Sequence, residues 1–209
     1  MEKISLRYVN IFLVIMIILL ILFGIVMFAY QKDKYSDIFF KYNNFEVHKV
    51  NFFDKGFAYK IRLVSLVDNK LYTIESRYDP RVLEEIPVNI NLNDIYNKKA
   101  LFITMDQNAT GVSVLAATEI SKVTGNSLIF RYPISDTFGA LKEPIEGKNV
   151  TVMTCNNVSE NIGVIFFEIS NKSEIHSNNG CVILSGKDEN DLIRVADRLM
   201  LVLLGIMKP

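Results

Sequence analysis

The sequence predicts a mixed α/β (α+β) protein: an N-terminal transmembrane helix, then a β-meander, then a Rossmann-like βαβ core closed by a C-terminal helix. Three observations predict it. Residues 8–31 form a run of 24 without a single charge. Residues 45–77 alternate apolar and polar side chains, the period of half-buried strands. From residue 100 onward the pattern changes to continuous apolar runs divided by a helical stretch, as in strands buried on both faces. The expected organisation is an anchor over 1–31, a stalk over 32–44 and a single extracytoplasmic α/β domain over 45–209.

The charges themselves exclude several classes. The chain has 209 residues with 23 Lys+Arg and 23 Asp+Glu, and half of it is apolar. Residues 32–209 hold 21 of the basic and 22 of the acidic groups, a net charge of about −1 and an ordinary charged share for a folded domain. A polytopic membrane protein does not fit that share. Neither does a nucleic-acid binder working by bulk positive charge, nor a disordered chain.

The anchor is read from length. About 20 apolar residues rise ~30 Å as a helix, the thickness of the hydrocarbon layer. Arg7 and Lys32 bracket the run, and Tyr8, Tyr30 and Tyr35 stand where interfacial aromatics are expected. A cleaved signal peptide is the competing reading. It needs a shorter apolar core of about 7–15 residues and a small-x-small exit, whereas the exit here reads Val26-Met27-Phe28-Ala29-Tyr30. The basic residues Lys3 and Arg7 before the run, and Lys32, Lys34 and Lys41 after it, do not favour a cytoplasmic N-terminus.

Two other features bear on the side of the membrane. Cys155 ends VTVMTC and Cys181 begins CVILSG, each at the edge of a strand-like run. Strands of one sheet can bring them together, and closing a loop of about 25 residues stabilises by ~3 kcal/mol in the chain-entropy model. Such a bond persists only in an oxidising compartment. The alternative is two separate buried thiols. Four N-x-[ST] sequons make Asn108, Asn149, Asn157 and Asn171 glycosylation candidates. The cysteine pair and the sequons together place the C-terminal domain outside the cytoplasm.

Along the domain, FEVHKV (45–50), GFAYKIRLVSL (56–66) and LYTIESR (71–77) read as a hairpin meander turning at Asp68-Asn69-Lys70. Asp79-Pro80 starts a short helix over 80–85 that Pro87 ends. ALFITMD (100–106), the helical stretch 108–125 and LIFRY (128–132) make a parallel βαβ unit. VTVMTC (150–155), GVIFFEI (163–169) and CVILSG (181–186) are further strands, the last preceded by a turn at Asn178-Asn179-Gly180. A helix over 188–207 closes the fold, capped by Asp188 or Ser185 and facing the sheet with Leu192, Val195, Ala196, Leu199, Leu203 and Ile206.

No catalytic constellation emerges. The strand–NATG–helix at 104–111 resembles a phosphate cradle but lacks both glycine-rich fingerprints. Asp106 and Asn108 there, with Gly186 at the end of the last strand, mark a candidate ligand edge at the carboxyl ends of the sheet. Ser185-Gly186-Lys187-Asp188 has no Walker spacing around its lysine. His48 and His176 are isolated, Glu84-Glu85 and Glu143/Glu146 read as surface carboxylates, and the charges between Asp188 and Arg198 read as a solvated helix face. No metal spacing accompanies the cysteines. No cofactor, metal or catalytic residue is therefore expected.

The stretches NATGVSVLAATEISKVTG, GVIFFEI and GCVILSGKDENDLIRVADRLMLVLLGIM resemble uncharacterised small single-pass membrane proteins of archaea. The last strand and helix are similar, more loosely, to surface-layer and envelope-associated domains. The resemblance covers roughly 100–207. It implies an envelope setting with both cysteines in matching places, and it brings no catalytic residue with it. The expectation is a membrane-anchored cell-envelope protein, a structural, assembly or binding module without catalysis. Its partners are the lipid bilayer and other envelope proteins, with no nucleic acid. The alternative is a membrane-tethered enzyme or small-ligand-binding domain using the carboxyl edge. A third reading puts the domain in the cytoplasm as an accessory subunit.

Overall fold

The computed structural model describes residues 6–34, 38–52, 56–96, 98–125, 129 and 136–209. The chain divides into two units, Met1–Ile38 and Phe39–Pro209. The first is one helix, α1 (Leu6–Lys34), of 29 residues and thus about 44 Å. Every apolar side chain along 11–27 is between 45% and 65% exposed, so this helix buries no stripe of its own. Among the described residues no helix is long and apolar enough to cross a membrane. The described side chains of α1 cover 11–27, about 26 Å of helix against a hydrocarbon layer of about 30 Å.

The second unit is a mixed α/β domain with two sheets. Four strands form the meander: β1 (Ile38–Tyr42), β2 (Phe45–Phe52), β3 (Gly56–Val64) and β4 (Leu71–Ser76), in the order β1-β2-β3-β4. Asn43 and Asn44 both adopt positive φ, 46° and 71°, which lets two residues reverse the chain between β1 and β2. The antiparallel registers align Val47, Ile61 and Ile74 in one buried row. One residue along, Glu46, Arg62 and Thr73 face the other way, as do His48, Lys60 and Glu75. The outer face carries the ion pairs Arg62–Glu46 (3.4 Å) and Lys60–Glu75 (3.6 Å). The stalk expected over 32–44 is a correction: α1 runs on to Lys34 and Ile38–Tyr42 is a strand, because IFFKY has β2 to pair with. The folded unit accordingly begins near Phe39 rather than at 45.

The second sheet holds β5 (Val88–Asn89), β6 (Ala100–Met105), β7 (Asp136–Leu141), β8 (Ile162–Ile169), β9 (Glu174–Asn178) and β10 (Cys181–Gly186), in the order β5-β9-β10-β8-β6-β7. β10, β8, β6 and β7 run parallel, and β9 is antiparallel to β10. Helix α2 (Pro80–Leu83) precedes β5, α3 (Gly111–Thr124) joins β6 to β7, and α4 (Glu189–Leu203) follows β10. Asp79, Thr110 and Asp188 cap the three helices, each accepting a backbone N–H of the first turn. The expected βαβ unit exists, with Asp136–Leu141 as the strand after α3 that pairs parallel with β6. Of 128–132 only Ile129 lies within the described residues. DTFGAL hides from a search for apolar runs because β7 is near the sheet edge and half exposed. The VTVMTC strand is also corrected. Only Val152 makes a bridge, with Leu141, and the chain then turns into a 3₁₀ turn at Cys155–Asn157 closed by reciprocal bonds between Thr154 and Asn157. β9 is an addition, turning into β10 through Asn179 and Gly180 at positive φ.

One core joins all of this. Ile103, Ile165, Val182 and Leu184 of the second sheet, Ile120 of α3, Leu199 of α4 and Ile61 of the meander belong to one buried cluster. α4 is therefore wrapped on several sides, which explains why its end is apolar all round: Leu199 to Leu203, Ile206 and Met207 are all buried. The solvated polar face expected for α4 is a further correction. Asp197 has no exposed surface and Arg198 is 7% exposed. Both point to groups of neighbouring elements: Asp197 accepts from Ser76 and Arg198 donates to the Ile86 carbonyl.

Candidate functional site

β6 connects onward to β7 on one side, while β8 leads by way of β9 to β10 on the other. The gap between β6 and β8 is thus a point where the strand order reverses, and open α/β sheets bind ligands outside the carboxyl ends of such strands. A cleft of about 420 Å³ lies there. Met105 and Asp106 reach it from β6, Phe167, Glu168 and Ile169 from β8, and Leu192 from α4. Asn108, Ser113, Lys142 and Glu189 supply further polar groups.

Each polar group has a local reason for its place. Asp106 Oδ1 accepts the Asn108 N–H at 2.9 Å, an Asx turn that swings the chain from β6 toward α3. Its other oxygen is 3.9 Å from Lys142 Nζ. The Lys142 ammonium also lies 4.7 Å from the Phe166 ring centre, while its backbone N–H donates to the Met105 carbonyl. Glu168 accepts the Ser185 hydroxyl at 3.1 Å. Glu189, from the first turn of α4, accepts the N–H groups of Thr110 and Ser113 and the Thr110 hydroxyl. The Thr110 hydroxyl, ahead of the backbone and Ser113 bonds, holds the Glu189 carboxyl below its usual range.

That last contact decides the chemistry. The positive end of α3 would suit an anion, but a carboxylate of the chain itself already fills it. A phosphate would have to displace Glu189 and would meet Asp106 and Glu168 as well. The cleft therefore suits a neutral or positively charged ligand with an apolar part to lie against Phe167 and Leu192. Among the described residues no group of three His, Cys, Asp or Glu could hold a metal ion.

The structure brings Asp106 and Asn108 together on this cleft but leaves Gly186 out of its lining. A Cβ on Gly186 would lie 2.9 Å from the Leu192 backbone nitrogen, so the glycine serves the close approach of α4 to β10. Thr110 caps α3. Cys155 and Cys181 form a disulfide, tying the 3₁₀ turn to the first residue of β10. Asn108, Asn149, Asn157 and Asn171 are all exposed. Asn157 differs from the rest, since its Oδ1 accepts the Thr154 N–H at 2.8 Å and so is committed to the fold.

Sequence reasoning missed a buried polar cluster. Glu119 of α3 has no exposed surface and pairs with Arg77 and Lys122. Asp197 lies near it, and burial first, then the Glu119 charge, push the Asp197 carboxyl up to about 7. Tyr42 donates to Glu84 at 2.6 Å and lies near Arg198; burial, then that bond, raise its phenol well above the ordinary value. The only sequence signal for these was charge within helices that a mixed fold sandwiches.

No family model, no curated protein and no solved structure matches this chain.

Proposed function

We propose that this chain is a membrane-anchored cell-envelope protein, α1 being its single anchor and the α/β domain lying outside the cytoplasm as a structural, assembly or binding module. The observation that carries the reading is the Cys155–Cys181 disulfide, which uses both cysteines of the chain and survives only where thiols are not kept reduced. The exposed apolar surface of α1 supports an anchor, because soluble monomers rarely leave so large an apolar patch uncovered. Its 24 uncharged residues are long enough for the hydrocarbon layer. The resemblance of 100–207 to archaeal single-pass proteins points the same way, and exposed Asn108, Asn149 and Asn171 suit glycans. Protease added to intact cells tests the reading: the domain is digested if it lies outside, and an untouched domain in intact cells refutes it.

A second reading is favoured by the cleft. The order of the parallel strands, β10-β8-β6-β7, supports a Rossmann-like layer with a ligand at its reversal point. On this reading the domain binds a small neutral or cationic molecule without transforming it. Asp106 and Glu168 attract it, and Phe167 gives it an apolar wall. Chemical-shift titration with choline, spermidine, glucose and inorganic phosphate tests it. Shifts confined to Asp106, Asn108 and Glu168 with an amine or sugar support binding, and loss of those shifts in Asp106→Ala confirms the place. Saturable binding of phosphate alone contradicts it.

A further inference from the structure

Asp197 and Glu119 lie mid-helix on α4 and α3, both without exposed surface. Their neighbours treat them differently. Glu119 has two cations, Arg77 Nε at 3.0 Å and Lys122 Nζ at 2.5 Å. Asp197 has no basic group within ion-pairing distance among the described residues. Arg194 on its own helix is committed to Asp191 at 2.9 Å and to Ser173. Arg198 donates to the Ile86 carbonyl at 3.3 Å and faces Tyr42 and Glu84.

The corner between β4 and α2 faces Asp197 from the other side. Asp197 Oδ2 accepts the Arg77 N–H at 2.7 Å, the Tyr78 N–H at 3.0 Å and the Ser76 hydroxyl at 2.9 Å. Asp197 Oδ1 has no partner. The Tyr78 phenol is raised by burial first and by the Asp197 charge second. Ser76 owns one hydroxyl hydrogen yet has two acceptors in reach, Asp197 Oδ2 and the Tyr78 carbonyl at 2.8 Å. With a proton on Asp197 both are served: the acid donates to Ser76 Oγ, and Ser76 donates to the Tyr78 carbonyl. With Asp197 ionised the hydroxyl must choose one of them, and a second full charge lies beside Glu119 away from water. The two backbone N–H groups favour the ion; burial and Glu119 oppose it.

We propose that Asp197, set against Glu119, is a proton-sensitive clasp: protonated, it holds residues 76–79 against the helix layer, and ionised, it lets that corner loosen while the rest of the domain stays folded. The direction follows from linkage. An acid whose folded value is raised keeps its full contribution to stability below the ordinary carboxylate range. That contribution shrinks as pH rises above the range and is gone above about 7. The corner is therefore tighter in mildly acidic solution than in alkaline solution.

Hydrogen–deuterium exchange of the full chain in detergent micelles tests this, with rates divided by the intrinsic rate at each pH. Protection at Arg77 and Tyr78 falls about 10-fold or more between pH 5.5 and 8.5, levelling off above about 7, while β8 keeps its protection. The same amides show no such step in Asp197→Asn. A flat wild-type profile, or the same step in both proteins, overturns the proposal. If Asp197→Asn does not fold, the Asp197 carboxyl carbon signal of the wild type decides. A titration midpoint above about 6 upholds the clasp, and a lower one overturns it.

Discussion

Replacing both Cys155 and Cys181 by alanine opens a covalent loop whose ends are 26 residues apart. The chain-entropy relation gives about 12 cal/mol/K for such a loop, or about 3.5 kcal/mol at 25 °C. For a domain of this size each kcal/mol is worth about 2–4 °C of melting temperature, so the double variant melts about 7–14 °C below the wild type. Near-UV circular dichroism of the six tyrosines in Phe39–Pro209 follows the domain without interference from tryptophan, of which the chain has none. Both proteins are measured as full chains in detergent without reductant, and the wild type again after full reduction. Reduced wild type and double variant should melt together. A difference below about 2 °C between oxidised wild type and variant refutes the reasoning, because the bond would then constrain nothing in the unfolded chain.

Other outcomes follow from single contacts. Ile61→Ala removes a fully buried side chain between two strands and lowers unfolding free energy by about 3 kcal/mol in denaturant melts. Thr110→Ala removes the cap of α3 and one donor to Glu189, costing about 1 kcal/mol by the same assay. Glu189 has a depressed carboxyl, so its contribution is present above the ordinary carboxylate range and is lost as pH falls through its folded value; Glu189→Gln flattens that acid limb of the stability profile. Gly186→Ala drives a Cβ against the Leu192 nitrogen and destabilises by more than 1 kcal/mol, whereas a ligand-binding glycine would tolerate the change in the free protein.

Much of the fold is legible in the sequence where one physical rule acts alone. The meander follows from alternation, and Val47, Ile61 and Ile74 fall in one buried row as that alternation requires. Asp79-Pro80 and Asp188 start helices because their carboxylates serve orphan amides. The misses share a cause. β7 and the β1 strand carry weak or mixed apolar patterns, and their partners in the sheet, not their own propensity, make them strands. The run 150–155 looks like a strand, but Thr154 within it and Asn157 beyond it bond to each other and turn the chain.

The candidate site was half legible. Asp106 and Asn108 fall on the cleft because the carboxyl end of a central strand is where a reversal of strand order opens space. Glu189 over the start of α3 could not be read, since it joins residues 79 apart. Asp197 and Arg198 look solvated in the sequence because charge in a helix usually marks its outer face. α4 has no outer face at that level: the second sheet lies on one side, and α3 and the β4–α2 corner lie on others.

The central claim is a membrane helix carrying an oxidised domain outside the cytoplasm, and intact-mass spectrometry of protein from washed membranes, alkylated without reduction, tests it most directly. The account predicts that the chain stays with the membranes, takes up no alkylating group and weighs about 2 Da less than the same protein after reduction. Recovery in the aqueous fraction with two alkylated cysteines contradicts it.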